Sequence, residues 1–240
     1  GAAMKVGQLI STDPDLLSKE LASALTGLQR NAPPMDYQSL VTQIEEAFDR
    51  PITDIFKYFD PDPIGSASIG QVHRATLHNG REVAVKVQYP GVADCIDSDL
   101  KNVRTLLSIG KNIINPERAD ALIEEARQTI LSESDYRLEC ANIQTFRKRF
   151  KDSQTIRIPR PYPKWTRKTV LTMEYMHGEP LEASFATMTE HDINHVASEL
   201  LQFYVYGFHL DFQVHGDPHP GNFLLDAEQR IIVLDFGCVK

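Results

Sequence analysis

Several features that would place a chain in a familiar class are scarce in this sequence. Its three cysteines, Cys95, Cys140 and Cys238, are far apart and form no C-x-x-C pair, which argues against a disulfide scaffold or a structural zinc site and suits a reducing compartment. No apolar run reaches the roughly 18 residues of a membrane span, and no segment resembles a signal peptide. The formal net charge of −8 argues against a nucleic-acid binder.

The rest of the composition is ordinary for a globular protein. Of the 240 residues, 42% are apolar and 24% are charged, which is sufficient for a core in one large domain or two lobes. The chain begins at Gly1 without an initiating Met and stops three residues after an Asp-Phe-Gly motif. We therefore expect it to be a fragment of a longer protein.

Hydrophobic periodicity and turn residues divide the chain into helices and strands. Two amphipathic helices, with Asp13 and Asp36 as N-caps, form an N-terminal extension. The dipeptide Asn79-Gly80 predicts a tight hairpin. The predicted strands are 71–77, 82–87, 156–159 and 169–175, and the later helices are 93–113, 117–150 and 189–213. This order indicates an α+β lobe followed by the start of a helical lobe.

The most informative stretch is His-Gly-Asp-Pro-His-Pro-Gly-Asn at 215–222, followed by Asp-Phe-Gly at 235–237. Asp217 and Asn222 are five residues apart, like the Asp and Asn of the kinase catalytic loop. Phosphoryl transfer needs an acid that orients or deprotonates the acceptor, and an Asn and an Asp that hold magnesium on the phosphates. The pattern predicts Asp217 as the catalytic acid or base, and Asn222 and Asp235 as magnesium ligands.

Lys86 lies within the apolar strand 83–87, as does the lysine that holds the ATP phosphates in kinases. A buried ammonium needs an anionic partner, and kinases supply a glutamate from a nearby helix. Glu133 and Asp135 are the candidates for this partner. Spacing alone does not separate them from three rivals, which are Glu124, Glu125 and Glu139.

Two further segments are expected to contact ATP. The turn before the first predicted strand stands where kinases have a glycine-rich phosphate loop, and its small residues include Ala67 and Ser68. The end of the strand predicted at 169–175 is expected to be a hinge, with Glu174 and Met176 near the adenine. The competing interpretation of the first segment is an ordinary hairpin turn. For the second segment it is plain core packing.

A metal-dependent hydrolase is a competing hypothesis for the same region. It would use His215, Asp217 and His219 as ligands, with His191 and His195 four residues apart on a helix. This hypothesis leaves the lysine strand and the Asp-Phe-Gly motif unexplained.

Six motifs extend over essentially the whole chain: K-V-G-Q at 5–8, A-S-I-G-Q-V-H at 67–73, V-K-V-Q-Y-P-G-V at 85–92, E-S-D-Y at 133–136, and the two motifs at 215–222 and 235–237. With them the chain closely resembles the UbiB family of atypical kinase-like proteins, also called the AarF or ADCK family. The resemblance implies an α+β, protein-kinase-like fold. The expected division is an N-terminal helical extension at 1–58, an N-lobe with inserted helices at 59–178, and the start of a truncated C-lobe at 179–240.

The resemblance also assigns residues that spacing left open. It implies that Glu133 is the partner of Lys86. It implies that the loop from Gly65 is the family's alanine-rich replacement for the glycine-rich loop, although this chain has Gly-Ser where the family usually has two alanines. Lys5 and Gln8 would lie on the extension, folded over the active site, where the family restricts protein substrates.

The function that the resemblance implies is that of an atypical kinase or ATPase that binds Mg-ATP and supports ubiquinone or quinone-lipid biosynthesis. ATP and Mg²⁺ are the expected cofactors. The expected partners are proteins or lipid intermediates of quinone biosynthesis and no nucleic acid, at a cytoplasmic location compatible with a membrane surface. The alternative is a non-catalytic module in which the nucleotide controls binding of lipid intermediates or partner proteins.

Overall fold

The computed structural model describes most of the chain from residue 35 onward. The described residues are 35–67, 69–92, 100–101, 120–121, 123–124, 127–128, 131, 133–210 and 212–240. The helix predicted at Asp13, most of the helix predicted at 93–113, and the candidate residues Lys5, Gln8 and Ser68 lie outside them. None of the described helices is long and apolar enough to cross a membrane.

The described elements come in short runs of strands separated by helices. The strands are β1 (Phe56–Ala67), β2 (Gly70–Leu77), β3 (Glu82–Gln88), β4 (Ile156–Arg157), β5 (Val170–Glu174), β6 (Glu179–Pro180), β7 (Phe223–Leu225) and β8 (Ile231–Val233). The helices are α1 (Tyr37–Phe48), α2 (Ile52–Ile55), α3 (Tyr136–Arg149), α4 (Leu181–Ser184) and α5 (Glu190–Leu210).

The first sheet is antiparallel, in the order β1-β2-β3-β5. The predicted β2–β3 hairpin is confirmed, and Gly80 has the positive φ of 81° that its tight turn requires. Side chains alternate across β3, so Val83, Val85 and Val87 enter one apolar cluster while Lys86 faces the opposite side.

β1 was not predicted, because its Asp-Pro-Asp-Pro sequence at 60–63 is unfavourable in a strand. The sheet places this strand at its edge, where the missing N–H of a proline costs no ladder bond on the outer side. The register shifts on both sides of Pro63, so the strand is irregular there. Because β1 begins at Phe56, the domain boundary predicted after residue 58 falls inside a strand.

A buried polar network ties the start of the described chain to β2. The Gln71 amide accepts from the Met35 main-chain N–H at 2.9 Å and donates back to the Met35 carbonyl at 3.3 Å. It also donates to His73 Nε2 at 2.8 Å, while His73 Nδ1–H donates to the Asp60 carbonyl at 2.9 Å. Burial lowers the pKa of His73 below its ordinary value, so the ring is neutral. The network therefore joins three separate backbone segments through uncharged groups.

α1 covers the outer face of the first sheet. Asp36 caps it, with Oδ1 accepting from the Ser39 N–H at 3.0 Å, and Leu40, Ile44 and Phe48 are buried against the valines of β3. The helix predicted after Asp36 and its predicted inner face are both confirmed.

α3 begins later than the sequence predicted. A single helix over 117–150 was expected, but the helical path is interrupted at Ser134 and Asp135. Asp135 has extended backbone dihedrals and its side chain caps α3 by accepting from the Arg137 N–H at 3.0 Å. Glu133 therefore precedes α3 instead of belonging to it.

The second sheet, in the order β4-β8-β7-β6, is built from strands of two or three residues. An apolar cluster below the first sheet joins it to α3 and α5, and includes Phe146, Phe203, Phe223 and Phe236. The Phe146 ring lies 5.1 Å from Phe236 and 6.0 Å from Phe203 between ring centroids, and the Phe223 ring lies 6.0 Å from that of His215. The cluster fixes the segment that follows β8 against α3.

Candidate active site

The β7–β8 hairpin brings two predicted magnesium ligands to the same end. Asn222 directly precedes β7, and Asp235 is the second residue after the end of β8. Because the two strands are antiparallel, these positions are neighbours, and the Leu234 N–H donates to the Asn222 carbonyl at 3.0 Å. The number of residues between the motifs at 215–222 and 235–237 is therefore set by the length of the β7–β8 hairpin.

A second pairing places Asp217 beside the segment that follows Asp-Phe-Gly. His215 and Val239 form an antiparallel bridge, and the Gly216 N–H donates to the Cys238 carbonyl at 2.6 Å. A Cβ at Gly216 would lie 2.4 Å from that carbonyl oxygen, so a side chain cannot be accommodated there. The glycine in the His-Gly-Asp motif allows this close approach.

Lys86 is the centre of a buried ion cluster. Its Nζ lies 3.0 and 3.1 Å from the two carboxylate oxygens of Glu139 and 3.0 Å from Oδ2 of Asp235. The Lys86 and Glu139 side chains are only 9% and 3% exposed. Three elements therefore meet at one ammonium, namely β3, α3 and the segment after β8.

The prediction that Glu133 pairs with Lys86 is wrong in this structure, because Glu139 holds that position. Glu139 belongs to the buried stripe of α3, together with Tyr136, Cys140 and Ile143, and this stripe faces β3. A glutamate within an apolar stripe was the available signal, since a buried carboxylate needs a cationic partner. The carboxylate of Glu133 instead accepts from the Cys238 thiol at 2.6 Å.

The three charges perturb one another's ionisation. Burial opposes a charge on Lys86, but Asp235 and Glu139 outweigh it and raise the pKa of the ammonium above its ordinary value. Burial raises the pKa of Glu139 to about 7, against the opposing effect of Lys86. Burial would also raise the pKa of Asp235, but Lys86 and the Gly237 N–H lower it to about 2. One cation thus serves two carboxylates, and Asp235 is the one that remains fully ionised.

His215 orients the Asp-Phe-Gly segment through the main chain. Its Nε2–H donates to the Asp235 carbonyl, which can only accept, and the Tyr204 hydroxyl lies 3.5 Å from Nδ1. Burial lowers the pKa of His215, so the ring stays neutral among the rings of Phe203, Phe223 and Phe236.

Two cavities meet at Lys86 and Asp235. The larger has a volume of about 450 Å³. Its wall includes four of the predicted nucleotide-binding residues, which are Ala67, Lys86, Glu174 and Met176, and both predicted magnesium ligands, which are Asn222 and Asp235. The smaller, of about 10 Å³, has space for roughly one water-sized group and is lined by Glu133, Tyr136, Asp217 and Cys238 beside the ion cluster. The structure thus gathers the described candidates around one cleft.

The loop predicted to cover the phosphates is a tight connection between β1 and β2, since Ala67 pairs with Gly70 across it. Ala67 and Ser66 line the larger cavity, and Ile69 lines the smaller one. The hinge candidates lie at the opposite wall, where the side chain of Glu174 accepts from the Arg160 N–H at 3.0 Å. Main-chain atoms of the hinge are therefore better placed than the Glu174 carboxylate to contact a base.

The donor set suits magnesium better than zinc. Asn222 Nδ2 donates to the Asp217 carbonyl at 3.2 Å, which leaves its amide oxygen, with the Asp235 carboxylate, as hard oxygen ligands at the cavity wall. Within the part of the chain that the structure describes, no group of three or more His, Cys, Asp or Glu side chains could hold a metal ion. Both ring nitrogens of His215 are engaged, and His219 Nδ1 accepts from the Gly221 N–H, which disfavours the hydrolase hypothesis.

Comparison with known proteins agrees with this architecture. The chain is 34% identical over 248 residues to the mitochondrial atypical kinase coq-8 of Caenorhabditis elegans, covering 100% of this chain and 32% of that protein. It is 34% identical over 249 residues to the probable protein kinase UbiB of Marinobacter nauticus, covering 98% and 45%. The solved structure of Rv3197 with erythromycin, from Mycobacterium tuberculosis, matches with a TM-score of 0.64 and 31% identity, over 100% of this chain and 61% of that one.

The chain spans less than half the length of these two curated relatives. The model of the ABC1 atypical kinase-like domain matches residues 27–240. This match, together with the match to Rv3197 and the mixed α/β architecture with its antiparallel sheet, confirms the expected kinase-like fold. The chain belongs to the ABC1 atypical kinase-like family.

Proposed function

We propose that this chain binds Mg-ATP as part of an atypical kinase or ATPase. The observation that carries the proposal is the buried Lys86–Glu139–Asp235 cluster, placed where a nucleotide-sized cavity meets the pocket that contains Asp217. A buried lysine shared by two carboxylates is poised to exchange part of its pairing for phosphate oxygens. Kinases use a Lys–Glu pair and an Asp in the same way.

The larger cavity is suited to the nucleoside. Its volume of about 450 Å³ lies within the range of small-molecule sites, and Val72, Ala84, Met173 and Met176 give it apolar walls. The Met176 backbone N–H and C=O make no backbone hydrogen bond to any described residue, so both can contact the edge of a base. The adenine would lie between the hinge and the small residues of the β1–β2 turn.

The remaining residues have roles at the phosphate end. Lys86 would bind phosphate oxygens, and Glu139 would orient Lys86. Asp217 would accept the proton of an acceptor hydroxyl or orient a water molecule. Asn222 and Asp235 would hold magnesium, which neutralises phosphate charge when bound. Glu133, which shares the smaller cavity with Asp217, stays a proposed catalytic residue, but not as the partner of Lys86.

The wider role we propose is support of ubiquinone or quinone-lipid biosynthesis. The family resemblance and the relatives named coq-8 and UbiB support it. Proteins or lipid intermediates of that pathway are the proposed partners, at a membrane surface. Lys5 and Gln8 are proposed to restrict access of protein substrates to the cleft.

A titration on the full-length protein tests the nucleotide site. Thermal unfolding would be followed with increasing ATP, with and without Mg²⁺, for the wild type and for Asp235→Asn. At about 100 times the dissociation constant, ATP should stabilise the wild type by roughly 2.7 kcal/mol. The shift should depend on magnesium and be lost in the variant, together with ADP release. A magnesium-independent shift that survives Asp235→Asn would contradict the assignment.

The non-catalytic binding module has one observation in its favour. The cavity that contains Asp217 has space for roughly one water-sized group, so an acceptor larger than water does not fit there in this conformation. Stabilisation by Mg-ATP without any ADP release would support this second function.

A further inference from the structure

The hydroxyl of Tyr136 lacks a hydrogen-bond partner although it is buried. Among the described residues, only the Tyr136 and Thr172 hydroxyls are buried side-chain polar atoms without a partner. Tyr136 is 1% exposed. Buried polar groups are nearly always paired, so an orphaned hydroxyl at this place requires a physical explanation.

Tyr136 lies at the phosphate end of the proposed nucleotide site. Tyr136 lines the smaller cavity with Lys86, Glu133, Asp217 and Asp235. The Lys86 ammonium lies 5.3 Å from the centre of the Tyr136 ring. Tyr136 is the first residue of α3, and its main-chain N–H donates to the Lys168 carbonyl at 2.9 Å, so the ring is held in place from outside the site.

The protonation state of the Tyr136 hydroxyl decides what it can bind. Burial raises the pKa of Tyr136 above its ordinary value; Lys86 opposes this shift, and the nearby carboxylates add to it. The phenol is therefore a neutral O–H donor in a pocket that otherwise contains several carboxylates and one ammonium. A neutral donor can bind an anionic oxygen without adding negative charge to this pocket.

We propose that the Tyr136 hydroxyl is a substrate-binding group that donates a hydrogen bond to a phosphate oxygen of the bound nucleotide. The inference rests on the proposed function, because that function supplies the phosphate. Lys86 approaches the phosphates from the larger cavity and Tyr136 from the smaller one, so together they define where the phosphate chain ends. The unpaired hydroxyl is the cost of this arrangement in the free protein.

The test compares Tyr136→Phe with the wild type, using the full-length protein and two probes, Mg-ATP and adenosine. Phenylalanine keeps the ring beside Lys86 and removes only the hydroxyl. The dissociation constant for Mg-ATP should rise at least about tenfold, as expected when one hydrogen bond to a charged group is lost. Adenosine has no phosphate, so its affinity should be unchanged. The thermal midpoint without nucleotide should equal or exceed that of the wild type.

Thr172→Val is the matched control. It also removes a buried, unpartnered hydroxyl, but Thr172 lies on β5 and lines neither cavity. It should leave Mg-ATP binding unchanged. Unchanged Mg-ATP affinity in Tyr136→Phe would overturn the inference while leaving the proposed function intact. A lower midpoint, or equal weakening of ATP and adenosine, would assign Tyr136 a structural role instead. Absence of Mg-ATP binding by the wild type would overturn both proposals.

Discussion

The two sides of the cleft are constructed differently. On one side, Lys86, Glu139 and Asp235 hold one another through direct contacts between charges. On the other, Asp217 and Asn222 are positioned mainly by main-chain atoms, since Asp217 Oδ1 accepts from the His219 N–H at 3.3 Å and Asn222 Nδ2 donates to the Asp217 carbonyl. The difference indicates that the ion cluster contributes to stability as well as to binding, whereas the loop side chains are free to serve chemistry alone.

The largest effect is expected from Glu139→Ala. It should lower the free energy of unfolding by about 2–4 kcal/mol, because the buried Lys86 ammonium loses its hydrogen bonds to Glu139 and keeps only Asp235 as a partner. Urea unfolding of the wild type, Glu139→Ala, Lys86→Met and the double variant would give the coupling energy. For this pair we expect at least about 1.5 kcal/mol.

Glu133→Ala provides the matched control for that cycle. Because the Glu133 carboxylate contacts Cys238 and not Lys86, its coupling with Lys86→Met should be below about 0.5 kcal/mol. The reverse ranking of the two couplings would show that Glu133, and not Glu139, is the partner of Lys86.

A smaller effect on the free energy of unfolding is expected from His215→Phe, which lies between the two sides of the cleft. Phenylalanine preserves the packing with Phe203, Phe223 and Phe236 but removes the donor to the Asp235 carbonyl. The loss should be about 1–3 kcal/mol in the free energy of unfolding, the usual cost of an unpaired buried acceptor. The measurement is urea unfolding at roughly pH 7.5, where neutral histidine dominates. No loss of stability would show that the loop and the cluster are independent.

A network of neutral groups offers a comparison with the ionic one. Because burial lowers the pKa of His73, the stability that its neutral form contributes is complete above its unfolded pKa and is lost as the pH falls toward its folded pKa. Between roughly pH 7.5 and 5.5 the wild type should lose about 1 kcal/mol relative to His73→Phe, which cannot titrate there. Asp60 and Asp62 act against this shift. Parallel stability–pH curves for the two proteins would contradict the prediction.

The smallest effect on stability is expected from Asp217→Asn. Its carboxylate makes no contact with Lys86, so the free energy of unfolding should change by less than about 0.5 kcal/mol. Nucleotide turnover should nevertheless fall at least about a hundredfold, as for loss of a catalytic acid or base. Urea unfolding and ADP release would be measured on the same preparation. A large loss of stability would remove the distinction between the two sides of the cleft.

The parts of the fold that the sequence predicted well are those with local signals. The alternation in β2 and β3 around Asn79-Gly80 predicted the hairpin, and Asp36 predicted the start of α1. β1 was missed because its stability comes from pairing with β2 and not from its own residues. The start of α3 was missed because Asp135 was weighed as a partner for Lys86 and not as an N-cap.

For the site, sequence spacing anticipated which residues approach one another. Lys86, Asp217, Asn222 and Asp235 come from motifs far apart in the chain, and the structure places all of them at one cleft. The partner of Lys86 was missed because several acids precede α3 or lie on it, and only Glu139 lies in the buried stripe of that helix. The orphaned hydroxyl of Tyr136 has no sequence signal at all, since it depends on the absence of nearby acceptors.

The irregular edge strand has a consequence for how copies of this protein behave in solution. Among the described strands β1 lies at the edge of its sheet; there Pro61 and Pro63 have no N–H to offer, and the exposed Asp62 adds negative charge. The donors that a continuous ladder needs are missing in this segment, which disfavours extension of the sheet by a strand from another molecule. The same Asp-Pro-Asp-Pro sequence that concealed β1 from prediction thus protects the lobe from edge-to-edge aggregation.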